Sequence, residues 1–287
     1  MLDPEALPAP AAPVVLSASL LAAGLVMARL VASLARVLVP GRNQFFARWG
    51  FSKASLVLAA FLLAQLLVPV LIALAGIEPT LTVSLLAMAV VHLGPALLVV
   101  RLARQLDPEG VRCLGLRLEG TTRAVLFGVV SYLLLLPGLL GVLLLSPQLL
   151  EAVGIEPAPQ EALVGFLELE PDARLLPLFL AVLVLPFFEE LLFRGFLQPL
   201  LVQNFREVGG LVVTSLLFAV LHGTSAFLPV FALSLILGGV MLRTQRLLAA
   251  WAVHAVHNGL PLWLALSVPD ARELLGPGGL LALLLPT

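Results

Sequence analysis

The fold is decided by residues 174–199, which read RLLPLFLAVLVLPFFEELLFRGFLQP. A transmembrane helix needs about 20 predominantly apolar residues, so this stretch is long enough to span a bilayer. Glu189, Glu190 and Arg194 nevertheless lie inside it. Ionisable side chains at membrane depth are expensive, and by default they mark functional sites. The stretch therefore predicts a membrane-spanning helix that carries part of a functional site.

The composition of the whole chain is that of a membrane protein. Of its 287 residues, 61% are hydrophobic and 11% are charged, and the mean hydropathy is +1.11. A soluble domain has about 45–50% apolar and about 25% charged residues, so this chain has too little polar surface to cover a water-soluble particle. The net charge of −1 provides no basic field for nucleic acid. The single cysteine, Cys113, excludes an intrachain disulfide.

Eight apolar segments are predicted to span the membrane: residues 14–36, 54–76, 81–101, 123–145, 174–199, 209–223, 226–242 and 247–267. They are continuously apolar rather than alternating, which favours helices over the strands of a barrel. The predicted fold class is all-α, a polytopic membrane helix bundle of about eight transmembrane helices. We divide it into N-terminal transmembrane helices 1–4 (residues 1–145), an acidic, proline-containing connection (146–173) and catalytic transmembrane helices 5–8 (174–287).

Charge alternates between successive loops. The loops after spans 1, 3 and 7 are rich in arginine, whereas residues 146–173 hold six acidic residues and no Lys or Arg before Arg174. The positive-inside rule then places the basic loops in the cytoplasm, and the acidic connection and both termini on the other side. Arginine far outnumbers lysine, which indicates a GC-rich, bacterial genome. We therefore predict an integral protein of a bacterial plasma (inner) membrane, surrounded by lipid bilayer.

The polar residues of span 5 divide into a pair and a single carboxylate. Glu190 and Arg194 are four residues apart and share a helix face, so Arg194 can neutralise Glu190. Glu189 is turned about 100° away and is left as the candidate general base. Pro186 removes a helical donor one turn earlier and predicts a kink beside the carboxylates.

Spans 6 and 8 carry the matching polar groups. Phe218 and His222 are four residues apart, and the turn near residues 203–207 places His222 at the same depth as Glu189, about 21 Å from that turn. His254 and Asn258 share one face of span 8 and suit an oxyanion. His254 counts as less deep than Glu189 by about 9 Å, unless the 203–208 connection projects as a longer helix or the helices tilt. Glu189, His222 and His254 are also an ordinary zinc set. His92 stands alone on span 3 and is interpreted as structural.

Three motifs in this order resemble the CAAX prenyl protease and bacteriocin-processing (Abi, or CPBP) family of intramembrane proteases. The family pattern is Glu-Glu-x-x-x-Arg, Phe-x-x-x-His and His-x-x-x-Asn. Its counterparts here are Glu189-Glu190-Leu-Leu-Phe-Arg194, Phe218-Ala-Val-Leu-His222 and His254-Ala-Val-His-Asn258. The resemblance covers residues 174–267, and spans 1–4 carry no matching motif.

The resemblance implies an intramembrane endopeptidase that cleaves a membrane-associated or hydrophobic peptide. Glu189 and His222 would activate a water, His254 and Asn258 would stabilise the oxyanion, and Glu190 and Arg194 would support the site. Two alternatives stay open for the cofactor: Zn²⁺ bound by Glu189, His222 and His254, or a metal-free glutamate mechanism. If the chain is bacterial, an unprenylated hydrophobic peptide is the better substrate hypothesis.

Two other functions are compatible with the same residues. A binding or immunity protein of the family would keep the site without turnover. A proton-coupled transporter would use Glu189, Glu190 and His222 as a relay, but the chain lacks the internal repeat that transporters often carry.

Overall fold

The computed structural model describes residues 11–38, 47–155 and 161–267, and all their regular secondary structure is helical. The predicted all-α membrane bundle is confirmed. The α-helices are α1 (Ala11–Leu38), α2 (Phe51–Leu74), α3 (Leu81–Leu106), α4 (Thr121–Ala152), α5 (Glu161–Glu168), α6 (Leu175–Phe179), α7 (Leu185–Glu190), α8 (Gln198–Val220), α9 (Phe227–Thr244) and α10 (Leu247–Ser267).

Six segments of the described residues are long and apolar enough to cross a membrane. Four of them are α1 to α4, the sixth is α9, and the fifth, Pro171–Val220, contains predicted spans 5 and 6 in one 50-residue segment. The predicted eighth span, α10, is not among the six, because His254, His257 and Asn258 lower its hydropathy. Helix α4 continues to Ala152, beyond its predicted end at residue 145.

The fifth segment is a helical hairpin. At Arg206 the backbone leaves the helical region (φ 63°, ψ 174°), and the chain turns back, so that Gly210 packs against the backbone of Val202. Phe193 and Phe218 then meet with ring centroids 4.9 Å apart. The predicted antiparallel pairing of spans 5 and 6 is therefore confirmed, with a first helix that reaches past residue 199 to the turn.

Proline reshapes the first arm of this hairpin. Two π-helical segments, Leu180–Val184 and Leu191–Leu197, flank the short helix α7, and Pro186 lies at the start of α7. In the first π segment the Leu185 N–H donates to the Leu180 carbonyl, five residues back. The next donor in that pattern would be Pro186, which has no N–H, so the Ala181 carbonyl loses its helical partner. The predicted disturbance at Pro186 is present as this change of helix type.

The front helices contact the back helices in two ways. Helix α3 packs on the first arm of the hairpin, and α4 packs on α9 and α10. Helix α1 instead packs on α4, through Gly24 and Gly138. The loop between α3 and α4 also contacts the start of α10, where Leu247 N–H donates to the Gly115 carbonyl at 3.0 Å. Gly115 has φ +83°, and a Cβ there would lie 2.9 Å from the Leu247 nitrogen, so this close approach requires glycine.

The described residues leave the predicted orientation and division untested. Residues 1–10 and 268–287, which contain both termini, and residues 39–46, which contain part of a basic loop, lie outside them. The placement of both termini on the non-cytoplasmic side stays a prediction, as does the division at residues 145 and 173.

Cys113 lies in the loop after α3, and burial raises the pKa of its thiol to about 12. The thiol is therefore unreactive in the folded protein.

Candidate active site

A buried cluster of charged side chains lies where α7, α9 and α10 meet. Glu190 and Arg194 are fully buried, and Glu190 Oε1 accepts hydrogen bonds from Arg194 Nη1 at 3.1 Å and from His254 Nδ1 at 2.9 Å. Arg194 Nη2 donates to the Ser234 hydroxyl at 2.8 Å. The predicted contact between Arg194 and Glu190 is present. Because Glu190 also accepts from His254, the pair orients that imidazole as well.

Glu189 is 9% exposed and lies between two imidazoles. Its Oε2 atom is 3.7 Å from His254 Nε2, and its Oε1 atom is 3.9 Å from His92 Nε2. These separations are longer than direct hydrogen bonds. His254 therefore faces both carboxylates, Glu190 through Nδ1 and Glu189 through Nε2. The offset of about 9 Å counted from the sequence is absent, because the first arm continues as a helix up to Arg206 and the hairpin turn need not lie at the level of the turn before α10.

Phe218 joins His222 to this cluster. The Phe218 ring centroid is 4.5 Å from that of His222 and 6.0 Å from that of His254, and the Arg194 guanidinium carbon lies 4.3 Å from it. The predicted packing of Phe218 under the His222 imidazole is confirmed. The aromatic ring thus forms one wall shared by two histidines and the buried cation.

Asn258 bonds to the backbone that Pro186 disturbs. Its Nδ2 donates to the Ala181 carbonyl at 3.0 Å, which is the carbonyl left without a π-helical partner. A second side chain of α10 makes a similar bond: the indole N–H of Trp251 donates to the Leu183 carbonyl at 2.9 Å. Two side chains of α10 therefore satisfy carbonyls of the first π segment. Asn258 keeps one amide hydrogen beyond this bond for any role in chemistry.

His257 points to a different neighbour from His254. Its Nδ1 lies 3.0 Å from the hydroxyl of Tyr132 on α4, and the two rings meet edge to face. Tyr132 is 1% exposed and His257 is 4% exposed. The pair is a buried polar link between front and back helices.

The three histidines of the site share one orientation. In each, Nδ1 has an acceptor: the Met88 carbonyl for His92 at 2.7 Å, the Phe218 carbonyl for His222 at 2.7 Å, and the Glu190 carboxylate for His254 at 2.9 Å. A carbonyl or carboxylate only accepts, so Nδ1 carries the hydrogen. In the neutral imidazoles Nε2 is then an acceptor.

The side chains of the cluster suit a zinc ion in their chemistry but not in their spacing. Its chemistry fits, because imidazoles that donate Nδ1–H to an acceptor and present Nε2 are typical zinc ligands beside a carboxylate. Its spacing does not fit: among the described residues no three His, Cys, Asp or Glu side chains stand close enough together to hold a metal ion. Zinc binding by Glu189, His222 and His254 therefore stays a prediction.

The structure brings together the predicted site residues and one residue that the sequence reasoning missed. Glu189, Glu190, Arg194, His222 and His254 form the cluster, and Asn258 lies beside it on the first π segment. His92, interpreted above as structural, stands against Glu189. Its only signals in the sequence were an imidazole inside an apolar span and a neighbouring Gly94-Pro95, neither of which identifies a partner on another helix.

Comparison with known protein families gives one match. Residues 171–260 match the family described as Type II CAAX prenyl endopeptidase Rce1-like. The resemblance found in the three motifs is confirmed over these residues. Neither the curated proteins nor the solved structures include a match to this chain.

Proposed function

We propose that this chain, with a CAAX prenyl endopeptidase family domain at residues 171–260, hydrolyses a membrane-associated or hydrophobic peptide inside the bilayer. One observation supports this most directly. Glu189 presents its carboxylate to the Nε2 atoms of His92 and His254, beside a second carboxylate that is paired with a buried arginine. This separates a proton-accepting carboxylate from a structural one, which is the division that general base catalysis needs.

In the proposed reaction Glu189 is the general base. A water hydrogen-bonded to Glu189 gives it a proton while the water oxygen attacks the scissile carbonyl carbon. The carbonyl π electrons move to the oxygen, which becomes the oxyanion. Glu189 then returns the proton to the leaving nitrogen as the carbon–nitrogen bond breaks. His222 would accept the second hydrogen bond of the water through Nε2 and hold it in line for attack.

The oxyanion requires donors, and His254 can donate from Nε2 only as an imidazolium. Glu190, which accepts the Nδ1 hydrogen of His254 at 2.9 Å, is the carboxylate that would pair with that imidazolium. Arg194 contacts the same Glu190 oxygen at 3.1 Å. The remaining amide hydrogen of Asn258 would be the second donor. Removal of one such donor lowers kcat by about 10²–10³-fold in other enzymes.

The location of the site supports the substrate class. Helices that reach the cluster are apolar along their length, so a peptide that reaches Glu189 must itself tolerate a hydrocarbon environment. An unprenylated hydrophobic peptide is the proposed substrate, with the prenylated peptide as the competing one. A cleavage assay with both kinds of peptide distinguishes the two substrates.

The test uses purified full-length protein in detergent and two internally quenched peptides. One has a farnesylated cysteine three residues from its C-terminus, and the other carries a simple apolar side chain there. We expect cleavage of the second peptide by wild type, and a loss of at least about 10²-fold in Glu189→Gln and His222→Ala. His257→Gln is the matched control, since it removes a buried histidine outside the cluster. Equal cleavage by wild type and Glu189→Gln would overturn the proposal.

The metal content of the purified protein distinguishes a zinc-dependent mechanism from a metal-free one. Elemental analysis of folded wild type, Glu189→Gln and His222→Ala should find no stoichiometric zinc if Glu189 acts as a metal-free base. Zinc near one equivalent in wild type, lost from both variants, would assign the activated water to a metal site instead. It would leave the endopeptidase proposal standing.

A protein that binds without turnover is the competing class. In a host challenged with a membrane-active peptide toxin, protection that survives Glu189→Gln at wild-type expression would favour binding. Protection that needs the carboxylate would favour cleavage.

A further inference from the structure

We propose that His92, on a front helix outside the family match, is a positioning residue for the Glu189 carboxylate. The proposal rests on the proposed function, because Glu189 is the base through which His92 acts. Its Nε2 lies 3.9 Å from Glu189 Oε1, on the side opposite His254, whose Nε2 lies 3.7 Å from Oε2. The two carboxylate oxygens therefore each face an imidazole from a different helix.

The orientation of His92 is fixed from two sides. Its Nδ1 donates to the Met88 carbonyl one helical turn earlier, at 2.7 Å, so the ring cannot flip without losing that bond. The Phe61 ring of α2 meets it edge to face at 5.0 Å. The residue is 3% exposed. These contacts leave only Nε2 for interaction, and Nε2 points at Glu189.

A purely structural histidine would not need this neighbour. The bond to Met88 alone satisfies one nitrogen, and a buried polar atom without a partner is costly. The 3.9 Å separation between Nε2 and Oε1 exceeds a direct hydrogen bond, so the proposed restraint acts through one water that donates to both atoms. That water would restrain the carboxylate plane so that Oε2 faces the reaction side. Partners that orient a reacting group in this way are typically worth about 10- to 100-fold in activity.

Two substitutions at His92 separate orientation from packing. His92→Phe keeps the ring volume and the Phe61 contact but removes the nitrogen. His92→Gln keeps a polar group near the position of Nε2. We expect His92→Phe to lower kcat on the quenched peptide by about 10- to 100-fold with KM within about twofold, since peptide binding is unchanged. His92→Gln should recover part of that loss. His257→Phe, at similar burial, is the matched control and should retain near wild-type kcat.

A readout without turnover completes the test. Melting temperatures of His92→Phe, Glu189→Gln and the double variant should be non-additive, because groups in one network couple. If Glu189→Gln is inactive while His92→Phe has wild-type kcat, or if the melting shifts simply add, this proposal is overturned and the endopeptidase proposal stands. If Glu189→Gln keeps full activity, the endopeptidase proposal fails and the role of His92 fails with it.

We further infer that an anionic phospholipid binds between α1, α4 and α9, on independent evidence. A cavity of about 300 Å³ opens there, with small residues of α1 on one side and Phe127 and Ser131 of α4 on another. Arg243, in the last turn of α9, lines its end. A Cβ on Gly239 would meet no heavy atom within 4 Å, so the α9 wall faces open space.

The charge at the cavity selects the ligand. Arg243 is exposed, and within the described residues it has no hydrogen bond or ion pair. The rest of the lining is almost entirely apolar. An acyl chain fits the apolar part and a phosphate fits the guanidinium, because arginine recognises phosphate with paired hydrogen bonds. Basic pockets between transmembrane helices bind anionic headgroups in this way.

Native mass spectrometry of delipidated protein titrated with phosphatidylglycerol or phosphatidylcholine tests this site. We expect one phosphatidylglycerol to be retained about fivefold more tightly than phosphatidylcholine, the preference that one basic residue supplies. Arg243→Gln should remove the preference, and Gly239→Phe should weaken both lipids by filling the cavity. Arg101→Gln and Gly94→Phe, an exposed cation and an open glycine on α3, are the matched controls. Equal retention of the two lipids by wild type, or a preference that survives both cavity variants, would overturn the proposal.

Discussion

Helices α2 and α9 differ in a way that hydropathy does not report. The most apolar 18-residue window of α2 has a mean hydropathy of 2.7, and 11% of that window is buried. The corresponding window of α9 has a mean hydropathy of 1.8, and 50% of it is buried. Lipid is as apolar as leucine, so the most hydrophobic helix gains nothing from burial in protein. The less apolar helix carries Ser234 against Arg194 and must face other helices. Burial in this molecule therefore follows the polar groups, not the apolar ones.

Helix α3 is the intermediate case that completes the comparison. It belongs to the front half by sequence, yet it packs on α7 and on both π segments. Its one buried imidazole, His92, faces Glu189. The front half thus contains a lipid-facing pair, α1 and α2, and a helix that contributes to the site.

The largest stability effect is expected at the buried cation. Arg194→Met leaves Glu190 buried without its partner and should lower the free energy of unfolding by about 3–5 kcal/mol. Arg36→Met on α1 is the control: Arg36 is exposed and, among the residues that the structure describes, bonds only Ser33 of its own helix, so its loss should stay within about 0.5 kcal/mol. The unfolding of both variants is measured by heating the protein with a thiol-reactive dye, which labels the buried Cys113 only when the protein unfolds. Adding Glu190→Gln to Arg194→Met should restore much of the stability; equal effects of the two arginine variants would contradict the comparison.

The next effect is expected where α1 meets α4. A Cβ on Gly24 would lie 2.5 Å from Gly138 Cα, so Gly24→Leu forces the two backbones apart. We expect a loss of about 1–3 kcal/mol in the same melting assay. Peptide cleavage should stay within about twofold, because α1 packs on α4 and not on the hairpin. Gly94→Leu, which enters open space, is the matched control. A collapse of activity in Gly24→Leu would place α1 in the site region.

A smaller effect is expected at the polar link between the halves. Tyr132→Phe removes the hydroxyl that meets His257 and should cost about 1 kcal/mol. His257→Phe and the double variant form a cycle with it. A double variant as unstable as the sum of the two single variants would show that the residues do not interact.

The smallest effect is expected on the lipid-facing surface of α2. Leu66 is 65% exposed, so Leu66→Ala should change stability by less than about 0.5 kcal/mol. Leu237→Ala on α9, fully buried, should cost about 2–5 kcal/mol in the same assay. Similar losses at both positions would mean that α2 is covered by protein in solution.

The spacing of polar residues predicted the local part of the site. Glu190 with Arg194 and Phe218 with His222 are pairs within one helix, where four-residue spacing fixes the contact. The hairpin placed Glu189 and His222 at one depth, because a short turn leaves little freedom. The membrane fold itself followed from composition.

The contacts between distant helices were not predictable. Nothing in the spacing of α3 indicates that His92 faces Glu189, since the rotation of one helix against another is set by packing. The depth of His254 could not be counted from the sequence, because the hairpin turn at Arg206 and the turn before α10 need not lie at one level. The bond of Asn258 to Ala181 depends on a π-helical segment, which hydrophobic periodicity does not report.

The order of these helices in the chain has a consequence for biosynthesis. His92 is inserted early, the carboxylates follow about a hundred residues later, and His254 arrives only with α10. Until residues 247–267 have entered the bilayer, Glu190 lacks one of its donors and Glu189 lacks an imidazole neighbour. A nascent chain therefore lacks the complete cluster of side chains until α10 has entered the bilayer. If the proposed hydrolysis takes place at this cluster, it begins only after that last insertion.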